Sequence, residues 1–305
     1  MYVPMKMILD DANEKYYAVP AINVVDMELA RGVIGAAIEE NSPLILNIGE
    51  GQMCKHGHSD VMVPMISHLA EKAPVPVALN LDHGKSWEHL THAFRSGFSS
   101  IMIDASTYGL EENISRTAEV VRMCKPQGVT VEGELGHVGM ASAGDYDSSE
   151  LFTKPEDVVD FVERTGVDAL AVAVGSAHGD YPKGFVPVLR FDLIRKIKEV
   201  SGIPLVLHGG SGSGDENLRM AVEAGINKVN ICTDIWNSAR DYFAETLGEE
   251  PGIDFLTLLI GYEKAVKKAA THFMRVLKSS GKASSFTVES VRVGKKEYVY
   301  VGAGE

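Results

Sequence analysis

Along the chain, short aliphatic runs alternate with longer stretches in which apolar residues recur at helical spacing. The runs lie at residues 18–23, 44–49, 77–82, 100–104, 130–135, 170–174, 205–208 and 228–231. They are apolar almost throughout rather than alternating, the pattern of parallel strands covered on both faces. Between them, residues 27–40, 61–72, 87–96, 110–125, 155–165, 192–200 and 216–224 read as amphipathic helices. Asp26 supplies a start signal for the first, and Thr153-Lys-Pro-Glu-Asp sets a cap, a first-turn proline and acids together for another. Gly97, Gly128, Gly166, Gly202 and Gly225 follow helices where left-handed caps are expected. Eight such βα units predict an α/β fold, a (β/α)8 or TIM barrel in a single domain. An open doubly wound sheet is the competing architecture, but no linker or composition break divides the chain, which favours closure. Residues 253–280 read as a long C-terminal helix, completing a barrel domain over 1–281. In the extension 282–305, residues 286–301 alternate polar and apolar positions as an appended hairpin would, for packing or a subunit contact.

The chain has 305 residues, 45% of them hydrophobic and 23% charged, so a sizeable core is available to a soluble domain. A formal net charge of −13 opposes nucleic acid and anionic membrane as partners. An anionic substrate would then need a local positive site. Cys54, Cys124 and Cys232 form neither a disulfide framework nor a CxxC pair. No secretory leader pattern and no membrane-length apolar run is found, so a cytoplasmic location is expected.

Polar residues interrupt the apolar runs at their C-terminal ends, which is where barrels of this kind build active sites. Asn23 ends the first run, Asp82 and His83 the third, and Asp104 the fourth; Glu132 and Glu134 lie in the fifth. His178 follows the sixth, His208 ends the seventh and Asn230 lies in the eighth. Three imidazoles on one rim, with room for a further ligand, are how a catalytic zinc is held. Asp82, beside His83, is the candidate for proton transfer. Asp104, Glu132 and Glu134 are candidates to orient the imidazoles or to hold a second metal. Gly209-Gly210-Ser211-Gly212 and Asn230-Ile231-Cys232-Thr233 follow the seventh and eighth runs, the usual phosphate site of such barrels. The combination points to metal-assisted chemistry on a small phosphorylated carbonyl compound. Cys54, His56 and His58 have ligand chemistry, but their spacing in a glycine-containing loop is weak, and His89 and His92 read as helix-packing residues.

These motifs resemble the class II, zinc-dependent fructose-bisphosphate and tagatose-bisphosphate (ketose-bisphosphate) aldolases. The resemblance rests on Leu-Asp-His-Gly (81–84), Met-Ile-Asp-Ala-Ser (102–106), Val-Glu-Gly-Glu-Leu-Gly (131–136), Leu-Ala-Val-Ala-Val-Gly-Ser-Ala-His-Gly (170–179), Val-Leu-His-Gly-Gly-Ser-Gly (206–212) and Lys-Val-Asn-Ile-Cys-Thr (228–233). It implies a lyase that reversibly cleaves a phosphorylated ketose to dihydroxyacetone phosphate and an aldehyde, fructose or tagatose 1,6-bisphosphate being the default substrates. It implies Zn2+ on His83, His178 and His208, Asp82 as acid/base, and a monovalent cation, Na+ or K+, near the phosphate. The implied substrate contacts are Asn23, Gly179, Gly209, Gly210, Ser211, Asn230, Ile231, Cys232 and Thr233.

The chain also departs from the family. Ser142 stands near the position of the proton-abstracting Glu, which leaves Asp145, Asp147 and Glu150 on the same loop as substitutes, with His137 behind them. Cys232 replaces a frequent Asp or Ala, and no Arg for a distal phosphate is identified. Gly144 and small neighbours give the loop over 140–151 the freedom of a lid. A homodimer or homotetramer is expected. Other readings are a family member acting on a different sugar phosphate, a sugar-phosphate binder without activity, or a zinc-dependent barrel hydrolase. The first run ends Ala-Ile-Asn rather than His-x-His, which counts against the hydrolase.

Overall fold

The computed structural model describes residues 1–287, so the expected hairpin lies, beyond its first two residues, outside the described residues. Strands β1 (Val19–Asn23), β2 (Leu44–Gly49), β3 (Val77–Gly84), β4 (Ser100–Ile103), β5 (Thr130–Leu135), β6 (Ala169–Val172), β7 (Leu205–Leu207) and β8 (Ile226–Ile231) pair in chain order, all parallel. β8 pairs with β1 and closes the barrel. Seven helices fall where periodicity places them: α2 (Met27–Glu39), α4 (Ser59–Lys72), α5 (Trp87–Ser96), α6 (Leu110–Cys124), α7 (Pro155–Thr165), α8 (Phe191–Ser201) and α9 (Asp215–Ala224). The others are α1 (Met5–Glu14), α3 (Glu50–Lys55), α10 (Thr233–Glu249) and α11 (Phe255–Val276).

The core has two parts. One lies between the outer faces of the strands and the ring of helices. The other fills the barrel's lower interior, where Ala21, Ile45, Ala78, Met102, Ala171 and Val206 meet Met5, Ile8, Leu9 and Ala12 of α1. That helix therefore stoppers the end of the barrel remote from the strands' C-termini. Its apolar residues stand at i, i+3, i+4 and i+7, a helical period present in the sequence but not read from it above. Higher in the interior, Ser100 Oγ donates to Asn80 Oδ1 at 2.8 Å and Asn80 Nδ2 to Asn47 Oδ1 at 3.1 Å.

Several local expectations need correction. Asp26 does cap α2, accepting from the Leu29 amide at 2.7 Å. Thr153 caps nothing, because Lys154 holds the N-cap position of α7. The Thr153 hydroxyl donates to the Leu135 carbonyl and accepts from the Ala173 amide at 2.8 Å, tying the loops after β5 and β6. The helix expected over 253–280 is shorter: Asp254 caps its start, and Lys278, at φ 64°, lies past its end. α10 was not anticipated; only Ile235 and Ala239 of it are buried, so its apolar stripe is thin. α3, only six residues, carries too little period to be recognised.

Candidate active site

A strand turns successive side chains to opposite faces, so Asp82 and His83 cannot both face inward from a regular β3. The structure resolves this with a bulge. Leu81 pairs with Ile101, but Gly84 pairs with Ile103, leaving one extra residue on β3. His83 takes a left-handed conformation at φ 50°, uncommon outside glycine, and both side chains reach the same cavity. Glycine is required just beyond: a Cβ on residue 84 would come within 2.9 Å of the Met102 carbonyl oxygen.

The rings of His83 and His178 lie 4.7 Å apart, and those of His83 and His208 4.6 Å, edge to face. His83 Nδ1 is 3.0 Å from Asp104 Oδ2, and His208 Nε2 is 2.9 Å from Glu132 Oε1. Carboxylates only accept, so these outer nitrogens carry the hydrogens and the inner ones are turned to the centre. His83 Nε2 and His208 Nδ1 then face each other at 2.9 Å, while His178 Nε2 is buried with no hydrogen-bond partner. Three donor nitrogens within 4.8 Å of one another fit a divalent cation. His83, Asp104 and Glu134 form a second group of the same size, and Glu134 Oε2, 3.9 Å from His83 Nδ1, is also buried without a hydrogen-bond partner.

Charge supports that fit. Burial lowers His83, but Asp82, Asp104 and Glu134 outweigh it and push the imidazole up to about 9. The carboxylates that hold a proton there also stabilise a cation. Burial and its two imidazole neighbours push His178 down to about 3, keeping it neutral as a ligand must be. Glu132 stays ionised despite burial, because Lys228, also fully buried, reaches its Oε2 at 2.7 Å.

Asp82 is held by two amides: Asn23 Nδ2 donates to one oxygen at 3.1 Å and Asn230 Nδ2 to the other at 3.0 Å. Burial would raise this carboxyl, but His83, His208, Lys228 and the Asn23 amide hold it at about 2. Asn23 is itself fixed from two sides. Gln52 Oε1 accepts from its amide at 3.2 Å, and Trp236 Nε1 donates to its carbonyl at 3.1 Å. Gln52, Trp236 and Lys228 were all missed in the sequence; of these only Lys228, a cation within an apolar strand as Glu132 is an anion, gave a signal.

The cavity, about 980 Å3, is also lined by Gly179, Gly209, Ser211, Asn230, Cys232 and Thr233. Gly209 has φ 65°, and a Cβ there would stand 2.3 Å from the Ala177 carbonyl oxygen, so the turn requires glycine. Two residues expected here are placed otherwise. The Gly210 amide donates to the Asn230 carbonyl at 3.0 Å, and Ile231 belongs to the core. Ser211 Oγ accepts from the amides of Cys232 and Asp234, clamping the glycine turn to the start of α10.

Of the loop after β5, only Met140 lines the cavity; Asp145, Asp147 and Glu150 do not. Asp145 Oδ2 accepts from the Met140 amide at 2.7 Å. The loop is pinned to a candidate ligand, as the Ala141 amide donates to the His178 carbonyl and the His178 amide to the Gly139 carbonyl. Tyr146 packs against Tyr181 and Phe185 of the loop after β6. His137 Nδ1 lies 2.8 Å from Ser106 Oγ. Cys54, His56 and His58 are not gathered into a ligand set among the described residues.

Residues 3–282 match the family model described as class-II fructose-bisphosphate aldolase. The fructose-bisphosphate aldolase of Geobacillus stearothermophilus is 39% identical over 285 residues, spanning 92% of this chain and 99% of that one. The crystal structure of the YdjI aldolase from Escherichia coli K12 superposes with a TM-score of 0.83 at 36% identity, covering 93% of this chain and 100% of that one. The fructose-bisphosphate aldolase of Campylobacter jejuni gives a TM-score of 0.75 at 26% identity over 90% and 94% of the two chains. No helix among the described residues is long and apolar enough to cross a membrane. With a metal-ready histidine triad on the rim of a closed eight-stranded barrel and a match across nearly its whole length, this chain belongs to the class-II fructose-bisphosphate aldolase family, metal-dependent lyases that act on sugar phosphates.

Proposed function

We propose that the protein is a zinc-dependent aldolase that reversibly cleaves a phosphorylated ketose to dihydroxyacetone phosphate and an aldehyde. The observation that carries this is the meeting of three inward imidazole nitrogens with the twice-held Asp82 carboxylate in a cavity floored by a glycine turn. His83, His178 and His208 would hold the zinc, oriented by Asp104 and Glu132. When bound, it supplies Lewis acidity to a substrate carbonyl. Asp82 moves the proton at the oxygen that becomes, or derives from, the aldehyde. The phosphate lies among Gly179, Gly209, Ser211 and Thr233, at the start of the 17-residue α10, whose N-terminal amides favour an anion. A monovalent cation beside it would offset the protein's negative charge. For proton removal at the ketone carbon, Asp145, Asp147 and Glu150 are the candidates, reached by movement of their loop.

Fructose and tagatose 1,6-bisphosphate are the default substrates, in keeping with the named relatives. Lys55 lines the same cavity and is a cation available to a second anionic group, while Lys85 on the same wall lies 3.5 Å from Asp104. The barrel-hydrolase alternative has no support, since strand one ends in Asn23, an amide bound to Asp82. Free Cys54, Cys124 and Cys232 suit a reducing cytoplasm, and a homodimer or homotetramer is the proposed assembly. The test is a coupled assay for dihydroxyacetone phosphate over ketose mono- and bisphosphates, with and without added zinc. Zinc-dependent release from at least one is expected; no release from any would overturn the proposal.

A further inference from the structure

Cys54 and His89 are 35 positions apart and share no motif, yet the fold aligns them. Cys54, exposed at the end of α3, places Sγ 3.2 Å from Nε2 of His89 on α5. On the far side of that ring, Nδ1 lies 3.0 Å from Glu50 Oε1 and 2.6 Å from Ser86 Oγ. The negative charge of Glu50 beside the ring favours the hydrogen on Nδ1, where Ser86 Oγ can accept it, and leaves the Nε2 lone pair toward the thiol. A nucleophile, a base within hydrogen-bond reach and a third group that orients the base are the parts of an activated nucleophile. A separate cavity of about 530 Å3 opens beside the thiol, lined among others by His58, Asp60, Glu88 and His92. None of these four lines the aldolase cavity.

We propose that Cys54, His89 and Glu50 form a thiol-modification site at which Cys54 attacks small disulfides, the cavity receiving the transferred half. In the step, the Cys54 proton passes to His89 Nε2 while Sγ bonds to one sulfur of the disulfide. The disulfide's S–S bond breaks, its second sulfur leaves with the electron pair, and His89 returns the proton to it. Cys54 is oxidised to a mixed disulfide and the reagent is half reduced to one thiol. Asp60 and Glu88 give the cavity acidic walls, so a cationic disulfide is preferred over an anionic one. The site touches the wall of the aldolase cavity through Glu50, whose Oε2 accepts from the Lys85 and Ser86 amides.

The test treats the whole protein with cystamine, a small cationic disulfide, and follows the adduct by intact-mass and peptide-mapping mass spectrometry. The adduct should form at Cys54 ahead of Cys124 and Cys232. His89→Gln and His89→Asn should each slow its formation about a hundredfold, the low end for a general base. His68→Gln should leave the rate unchanged, because His68 is exposed on α4 and lines neither cavity. Glutathione disulfide, which is anionic, should react more slowly than cystamine. Equal rates in the parent and both His89 variants, or an adduct that forms first elsewhere, would overturn the assignment.

Discussion

Lys228→Met is the substitution whose cost the structure defines most sharply. Lys228 Nζ and Glu132 Oε2 are 2.7 Å apart, and both side chains are fully buried inside the barrel. The other oxygen of Glu132 faces His208. Removing the lysine leaves an ionised carboxylate in a low-dielectric interior with half its partners gone. Breaking such a pair costs about 3–5 kcal/mol, a large part of the roughly 5–15 kcal/mol that holds a domain folded. Replacing both partners, Lys228→Met with Glu132→Gln, removes the buried charge altogether. The amide oxygen introduced at position 132 still accepts from His208, so most of the loss should return. Urea unfolding in the presence of a chelator separates this from stabilisation by bound metal. The exposed pair of Lys278 and Glu223, 2.9 Å apart, is the control: Glu223→Gln should leave the midpoint in place. A double variant no more stable than Lys228→Met alone would refute the reasoning, since the loss would then not come from the stranded carboxylate.

Other outcomes follow from the same geometry. His178→Ala should remove most bound zinc, measured by elemental analysis after dialysis, and full occupancy would sink the assignment of that ligand. Asp82→Ala should cut carbon–carbon cleavage strongly while zinc stays bound, with solvent exchange of the dihydroxyacetone phosphate proton affected less; equal loss of both would mean that Asp82 only positions His83. Single Ala changes at Asp145, Asp147 and Glu150 should leave one variant deficient in that exchange, and three variants exchanging at the parent rate would place the base elsewhere, with His137 next. Lys198 is pushed down by burial to about 8 from 10.5, its amine donating to the Ile203 carbonyl at 2.9 Å and to Asn227 Oδ1 at 2.8 Å. Between those values the unfolded chain binds more protons than the native protein, so this group adds stability as pH rises from about 8 and levels off past 10.5. The parent should therefore gain on Lys198→Met across that window in urea midpoints, and a constant difference between the two would contradict it.

The sequence by itself determined the barrel. Its eight strands are short, apolar on both faces and separated by helices of clear period, the pattern of a parallel sheet covered by helices on both faces, and eight units without a break favour its closure. It also determined the identity of the rim residues, because His83, His178, His208 and Asp82 interrupt apolar runs at equivalent ends, where polar groups are costly unless they meet partners. What it could not carry was anything that depends on distance across the barrel. Lys228 and Glu132 are 96 positions apart and become an ion pair only when β8 and β5 face one interior. Asp82 and His83 share a cavity only through the β3 bulge and a left-handed residue, which no local pattern announces. Gln52 and Trp236 fix Asn23 from elements whose own signals were too short or too thin to read. Cys54 and His89 looked like separate loop and helix residues until α3 was laid against α5. Periodicity reports which face a residue buries; pairing between faces is set by closure of the chain in three dimensions, and the candidate chemistry of this protein is made of such pairings.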